Sequence, residues 1–224
     1  MYHKTNSAKE HTMDTIVFDL DGTLLDTLDD LRDSVNYALQ TEQFALRTRE
    51  EIRAFVGNGV ANLVHRAVPE GTPEEVEQRC LATFRAHYAT NMNNKTAPYP
   101  GILPLLQALK QRGIKMAVCS NKFDAAVKKL CKEMFEGLIP VAIGECETVR
   151  KKPAPDSVWM ALEQLKSKKE DAYYIGDSEV DVETAHNAGL CCVGVTWGFR
   201  DRAVLEEKGA EIIIDRPEEI LALL

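Results

Sequence analysis

The sequence predicts an α/β fold: a parallel sheet flanked by helices, its core interrupted by an all-helical insert. Three observations carry that expectation. Apolar runs with the length and branching of buried strands recur at 16–18, 114–119, 172–176 and 191–195, with helical spacing between them. Three of these runs stop directly before a residue of distinct chemistry, at Asp19, Ser120 and Asp177. The stretch 28–93 holds no such run and reads as helices alone. Residues 28–96 are therefore assigned to the insert, and 13–27 with 97–224 to the core.

Taken in order, residues 1–12 are polar and patternless and are expected to be a disordered extension. Ile16, Val17 and Phe18 form the first strand, and Gly22 sets a tight turn behind it. Leu28, Leu31, Val35 and Leu39 then recur at helical spacing. Thr48 and Glu51 form a capping box for a second helix through Phe55. Gly57-Asn58-Gly59 breaks it, and 60–68 reads as a third helix. Thr72 is the expected N-cap of a fourth, with Pro73 at the first helical position and Glu75 closing the box. Val76, Cys80, Phe84 and Tyr88 supply its apolar face.

Residues 91–101 read as a polar, proline-bearing return linker. A helix follows through Leu109, with Gly113 as its C-terminal cap. The second strand at 114–119 ends at Ser120-Asn121-Lys122, and 138–143 is a weaker third. A helix at 156–166 is expected to turn Trp159, Leu162 and Leu165 inward. The fourth strand at 172–176 leads to a helix ending at Gly189. Strands at 191–195 and 212–214 complete the sheet.

Composition narrows the function. At 224 residues with 45% hydrophobic and 28% charged side chains, the chain can bury an ordinary globular core. A net charge of −8 and a pI near 5.2 disfavour nucleic acid and anionic membrane as partners. No apolar run is long enough to span a bilayer, and no signal-peptide pattern opens the chain. The six cysteines lack metal-ligand spacing, and Cys119, Cys191 and Cys192 read as core residues of a protein from the reducing cytoplasm. The protein is expected to be a monomer or homodimer.

The chemistry concentrates at strand ends. Asp19 and Asp21 sit where open α/β sheets bind ligands, and two carboxylates so close need a cation, a shared proton or both. An oxygen-liganded cation, Mg²⁺, would settle the conflict. Ser120 and Asn121 can donate to a phosphate or simply cap a turn. Lys152-Pro-Ala-Pro-Asp156 has two prolines that stiffen a helix entry and aim Lys152, which is otherwise a solvated lysine. Asp177 and Asp181 open the helix after the fourth strand, where a capped start explains one acid better than two.

These pieces, in this order, resemble the motifs of the haloacid dehalogenase-like (HAD) phosphohydrolases. Asp19-Leu20-Asp21-Gly22-Thr23 resembles the first, the lysine in its KPxPD setting the third, and Gly176-Asp177-Ser178-Glu179-Val180-Asp181 the fourth. The resemblance runs from Met13 to Leu224 and implies a Rossmann-like parallel sheet core with an inserted all-helical cap. It implies that Asp19 is a nucleophile that becomes an aspartyl phosphate, and that Asp21 is the acid and base. Lys152 and Ser120 would offset phosphoryl charge. Asp19, Asp177 and the backbone carbonyl of Asp21 would hold Mg²⁺, with Asp181 bound directly or standing behind them.

Within the family, an acid at Asp21 argues against dehalogenation. Thr23, with no histidine between Asp26 and His65, argues against a hexose-phosphate mutase. The 53–66 segment, Tyr99-Pro100-Gly101 and Ser120-Asn121-Lys122 resemble the phosphoglycolate phosphatase branch. Thr23, Gly57, Asn58, Gly59, Asn121 and Lys122 are expected at the substrate. Arg53, Arg66 or Lys122 would meet its carboxylate, unless the arginines are a solvated helix face. His65, His87 and His186 read as surface or packing residues. Other readings are a phosphatase for sugar phosphates, nucleotides or pyrophosphate, or a phospho-Asp signalling or binding protein without turnover. A receiver domain places its phosphorylated Asp on the third strand of a chain half this long.

Overall fold

The computed structural model describes residues 13–224; the extension expected at 1–12 lies outside them. Strands β1 (Thr15–Phe18) and β2 (Leu25–Asp26) open the described chain, and helices α1 (Leu28–Thr41), α2 (Arg49–Phe55), α3 (Val60–Ala67) and α4 (Glu74–Asn91) follow. β3 (Ala97–Pro98) and α5 (Ile102–Gln111) lead to β4 (Lys115–Phe123), α6 (Asp124–Phe135) and β5 (Val141–Glu145). The last third holds α7 (Asp156–Leu165), β6 (Ala172–Gly176), α8 (Glu179–Ala188), β7 (Cys191–Val195), α9 (Arg202–Lys208) and β8 (Ile212–Ile214).

Six strands form a parallel sheet in the order β5-β4-β1-β6-β7-β8. β1 lies between β4 and β6, so the order reverses about it. Its carboxyl end is a topological switch point, the crevice where such sheets bind ligands. β1 is buried on both faces, and its side chains alternate between two cores. Ile16 and Phe18 join the core continuous with the insert, whereas Val17 joins the one under α7 and α8. No helix among the described residues is long and apolar enough to cross a membrane.

Helices α1 to α4 pack on one another, with α1 against α4. The two passages between sheet and insert pair with each other as a short antiparallel ribbon, Leu25 with Pro98 and Asp26 with Ala97. Asp30, 2% exposed, ties this neck. It accepts from the amides of Lys95 (3.0 Å) and Thr96 (2.8 Å) and from the Thr96 hydroxyl (2.8 Å). Strands of two residues, one of them ending in a proline, carry no periodicity, so the ribbon is invisible in sequence.

Several local expectations need correction. Thr72 does not cap α4: its hydroxyl donates to Pro69 O at 2.6 Å, and Pro73 is the N-cap. Trp159 does not turn inward. It is 51% exposed because α7 buries Ser157, Val158, Ala161 and Leu162 instead. The second strand runs on through Ser120, Asn121 and Lys122 to Phe123, with a register shift after Cys119. The third strand starts at Val141 rather than 138. α6 and α9 are additional to the helices expected from sequence; α6 opens straight out of β4 with Phe123 at its N-cap and no side-chain cap to announce it.

Candidate active site

Asp19 is the first residue beyond β1, and its amide still donates to Ile175 O at 2.8 Å, so the sheet itself aims it. Its carboxylate is buried, with Oδ1 2.5 Å from Lys152 Nζ. The same ammonium donates to Asp181 Oδ1 (2.8 Å) and Tyr174 Oη (3.0 Å). Asn121 brackets the Lys152 backbone: its Oδ1 accepts from Lys152 N at 2.7 Å and its Nδ2 donates to Lys152 O at 2.9 Å. Asn121 lines the cavity, but its amide group is committed to the lysine rather than left for a ligand.

Asp21 faces a different partner. Lys122 Nζ, itself buried, stands 2.8 and 3.0 Å from the two Asp21 oxygens and 4.8 Å from the centre of the Tyr88 ring. Ser120 Oγ accepts from Lys122 N at 3.2 Å and also lines the cavity. Thr23 turns to the far carboxylate, its hydroxyl donating to Asp177 Oδ1 at 3.2 Å. Asp177 Oδ2 accepts from Phe199 N at 2.6 Å. Two glycines allow this packing. A Cβ on Gly22, whose φ is +92°, would lie 2.4 Å from Asp177 Oδ2, and one on Gly198 2.3 Å from Asp177 Cβ.

Asp19, Asp177 and Asp181 bring carboxylate oxygens within 4.8 Å of one another, all three buried. Burial pushes the Asp19 carboxyl up to about 7 against the pull of Lys152, with Asp181 and Asp21 adding to the rise. Burial, then Asp181 and Asp19, hold Asp177 well above the ordinary carboxylate range. Lys152 stays charged: burial opposes its charge, but Asp181 and Asp19 outweigh it and raise its pKa. For Lys122 burial is likewise outweighed, by Asp21 and Tyr88. With Asp21 offset by Lys122, three carboxylates face one ammonium, so ionising all three leaves an excess of two negative charges, and burial resists that ionisation until a cation supplies the balance.

A divalent cation with oxygen ligands fits that deficit and that donor set, which contains no histidine or cysteine. The three acids are not equivalent, however. Asp181 already accepts four bonds, from Lys152, Tyr174, and the amide (3.1 Å) and hydroxyl (2.6 Å) of Ser178. Its lone pairs are taken, whereas Asp19 and Asp177 retain acceptor capacity.

The cavity above these groups has a volume of about 80 Å³. Gly57, Asn58 and Gly59 of the insert form its roof, with φ of +118°, +60° and +85° in succession. The two arginines expected there are absent from its walls. Arg66 donates to Phe55 O at 2.8 Å, and Arg53 to Gly198 O and Asp201. Lys122 lines the cavity, but its charge is matched by Asp21. The guanidinium in the wall belongs instead to Arg200, in the segment after β7. Sequence spacing singled out no residue there; its one available signal was that 191–195 reads as a strand whose carboxyl end lies on the same sheet edge.

A buried carboxylate held against a lysine, with a second carboxylate two residues on and a cation-sized deficit behind, suits hydrolysis of an anionic ester. The haloacid dehalogenase-like hydrolase family model matches residues 16–195, and the chain belongs to that family and is a hydrolase. It is 32% identical over 202 residues to the phosphoglycolate phosphatase of Mesorhizobium japonicum, covering 88% of this chain and 89% of that protein. It is 30% identical to the phosphoglycolate phosphatase of Aquifex aeolicus, over 95% and 97% of the two chains. A crystal structure from Lactobacillus delbrueckii subsp. bulgaricus matches with a TM-score of 0.89 at 35% identity, covering 93% of this chain and 97% of that one.

Proposed function

We propose that the protein is a cytoplasmic, Mg²⁺-dependent phosphatase that hydrolyses a small phosphate monoester, 2-phosphoglycolate, through an aspartyl phosphate on Asp19. The observation that carries the reading is the separation of two neighbouring carboxylates into different environments. Asp19 is paired with Lys152 and Asp21 with Lys122, while both open into one cavity. Divergent surroundings of that kind give two like groups two roles. The small cavity favours a substrate with few heavy atoms beyond the phosphate, and relatives named phosphoglycolate phosphatase over most of the chain favour that ester. Six unpaired cysteines agree with a reducing compartment.

In this reading an Asp19 oxygen attacks phosphorus, and the bond from phosphorus to the ester oxygen breaks. Asp21 supplies the proton to the departing alkoxide. It then takes one from the water that attacks the aspartyl phosphate, releasing phosphate and restoring Asp19. Lys152 and the Ser120 hydroxyl stabilise charge on the phosphoryl oxygens. Asp181 and Tyr174 hold the Lys152 ammonium in place, and Asn121 holds its backbone. Asp19, Asp177 and the Asp21 carbonyl would hold Mg²⁺, which when bound neutralises charge between carboxylate and phosphate.

Turnover across a panel of phosphate esters, with Mg²⁺ and after chelation, tests this. Phosphoglycolate should show the highest kcat/KM, and EDTA should abolish turnover until Mg²⁺ is returned. A tenfold preference for a sugar phosphate or nucleotide would remove the substrate assignment, and full activity after exhaustive chelation would remove the metal.

A further inference from the structure

The segment 196–201 after β7 reaches three parts of the molecule at once. Trp197 Nε1 donates to Thr23 O at 2.9 Å in the turn behind β1, and Phe199 N donates to Asp177 Oδ2 at 2.6 Å. The Arg200 side chain crosses to the insert, where Nη1 donates to Arg53 O at 3.1 Å and Nη2 to Val56 O at 2.7 Å. In return, Arg53 Nη2 donates to Gly198 O at 3.3 Å and to Asp201 Oδ1 at 3.1 Å. Each arginine stands on one segment and binds the backbone of the other.

The Arg200 arm is the stronger. Its two acceptors belong to the C-terminal end of α2, where carbonyls lack helical partners and a cation is favoured. Its planar fork also grips Glu179, at 2.7 Å from Nε and 3.2 Å from Nη2, with only 13% and 25% of the two side chains exposed. Glu179 begins α8, two residues beyond Asp177. Gly57 lets the insert close on the guanidinium, since a Cβ there would come within 3.2 Å of Arg200 Nη2. The Arg53 arm ends on Asp201, which is 81% exposed, so it contributes less.

We propose that Arg53 and Arg200 form a reciprocal clasp that holds the insert closed over the cavity and, through the Phe199 amide, sets the Asp177 carboxylate for its cation. Docking of the insert and binding of the cation are then one coupled equilibrium, in which each favours the other. The inference rests on the reading of Asp19 and Asp177 as the cation-holding pair. Neither arginine touches reacting atoms in this account; both are positioning residues.

The test uses the full chain, with calorimetric titration of Mg²⁺ and hydrogen exchange at residues 56–60, on wild type, Arg53→Ala, Arg200→Lys and Arg200→Ala. Arg200→Ala should bind Mg²⁺ about five- to tenfold more weakly and exchange faster at 56–60. Arg53→Ala should lose about two- to threefold. Arg200→Lys, which keeps the charge and lacks the fork, should fall between wild type and Arg200→Ala. Mg²⁺ should slow exchange at 56–60 in the wild type and have little effect in Arg200→Ala. Unchanged exchange in both Arg200 variants overturns the clasp. Faster exchange with wild-type Mg²⁺ affinity overturns the coupling. A wild type that takes up no Mg²⁺ overturns the cation reading and the coupling with it, a failure seen before any variant is compared. Should Arg200→Ala not fold, Arg200→Lys and Arg53→Ala carry the same comparison.

Discussion

Lys122 Nζ lies 2.8 Å and 3.0 Å from the two carboxylate oxygens of Asp21, 101 residues away in the chain, over the ring of Tyr88. Lys122, one of three cations expected at the substrate's carboxylate alongside Arg53 and Arg66, is thus the counter-charge of Asp21. Its ammonium donates to both oxygens and fixes the direction in which the Asp21 carboxylate faces the cavity.

Replacing Lys122 with Met should therefore slow hydrolysis of the phosphoenzyme more than its formation. With p-nitrophenyl phosphate, whose leaving group needs little protonation, kcat should fall roughly a hundredfold, within the range for lost acid–base assistance. A radiolabelled phosphoenzyme should build up in acid-quenched samples. Turnover at the wild-type rate, or a loss confined to phosphoglycolate, would return Lys122 to the substrate.

Asp19→Asn should abolish turnover yet make the metal-free protein more stable at neutral pH. The Asp19 carboxyl, at about 7 against an ordinary value near 4, favours the folded state below pH 4, and that contribution is lost as pH rises through 7. The lost contribution is on the order of a few kcal/mol. In EDTA, wild-type Tm should fall between pH 5 and 7.5, and the fall should be smaller in Asp19→Asn. Added Mg²⁺ should raise the wild-type Tm at pH 7.5 more than the variant's. Equal pH dependence in the two proteins would show that Asp19 carries no excess charge.

Asp177 and Asp181 should separate in a binding experiment. Asp177→Asn removes a carboxylate with acceptor capacity and should weaken Mg²⁺ binding by at least tenfold in calorimetry. Asp181→Asn disturbs the grip on Lys152 and Ser178 and should lower kcat while changing Mg²⁺ affinity less than threefold, roughly the loss of one modest contact. Loss of binding in Asp181→Asn equal to that in Asp177→Asn would make Asp181 a direct ligand.

Asn121→Ala should cost activity uniformly. Without its two bonds to the Lys152 backbone, the lysine is less well held against any phosphoryl group. We expect kcat to drop about tenfold for both phosphoglycolate and p-nitrophenyl phosphate, from the loss of two partly buried hydrogen bonds. A loss for phosphoglycolate alone would mean that Asn121 reads the substrate's tail.

Sequence by itself determined the sheet and the points at which its chemistry is presented. Strand formation depends on local apolar runs, and polar residues that end those runs must lie on the sheet's carboxyl edge. Ile16, Val17 and Phe18 announce β1, and Asp19 follows without any knowledge of the fold. Only the tertiary structure decided the pairings. Lys122 with Asp21, Asn121 with Lys152, Thr23 with Asp177 and Arg200 with the insert join residues between 31 and 154 positions apart. No periodicity encodes such a distance, because which polar group meets which depends on how the sheet order brings strand ends together. The same reason explains Arg53 and Arg66. Their helical positions were legible, but Arg66 turns to a carbonyl at the end of the neighbouring helix within the insert and Arg53 to the segment after β7, contacts set by how helices and sheet pack rather than by local spacing.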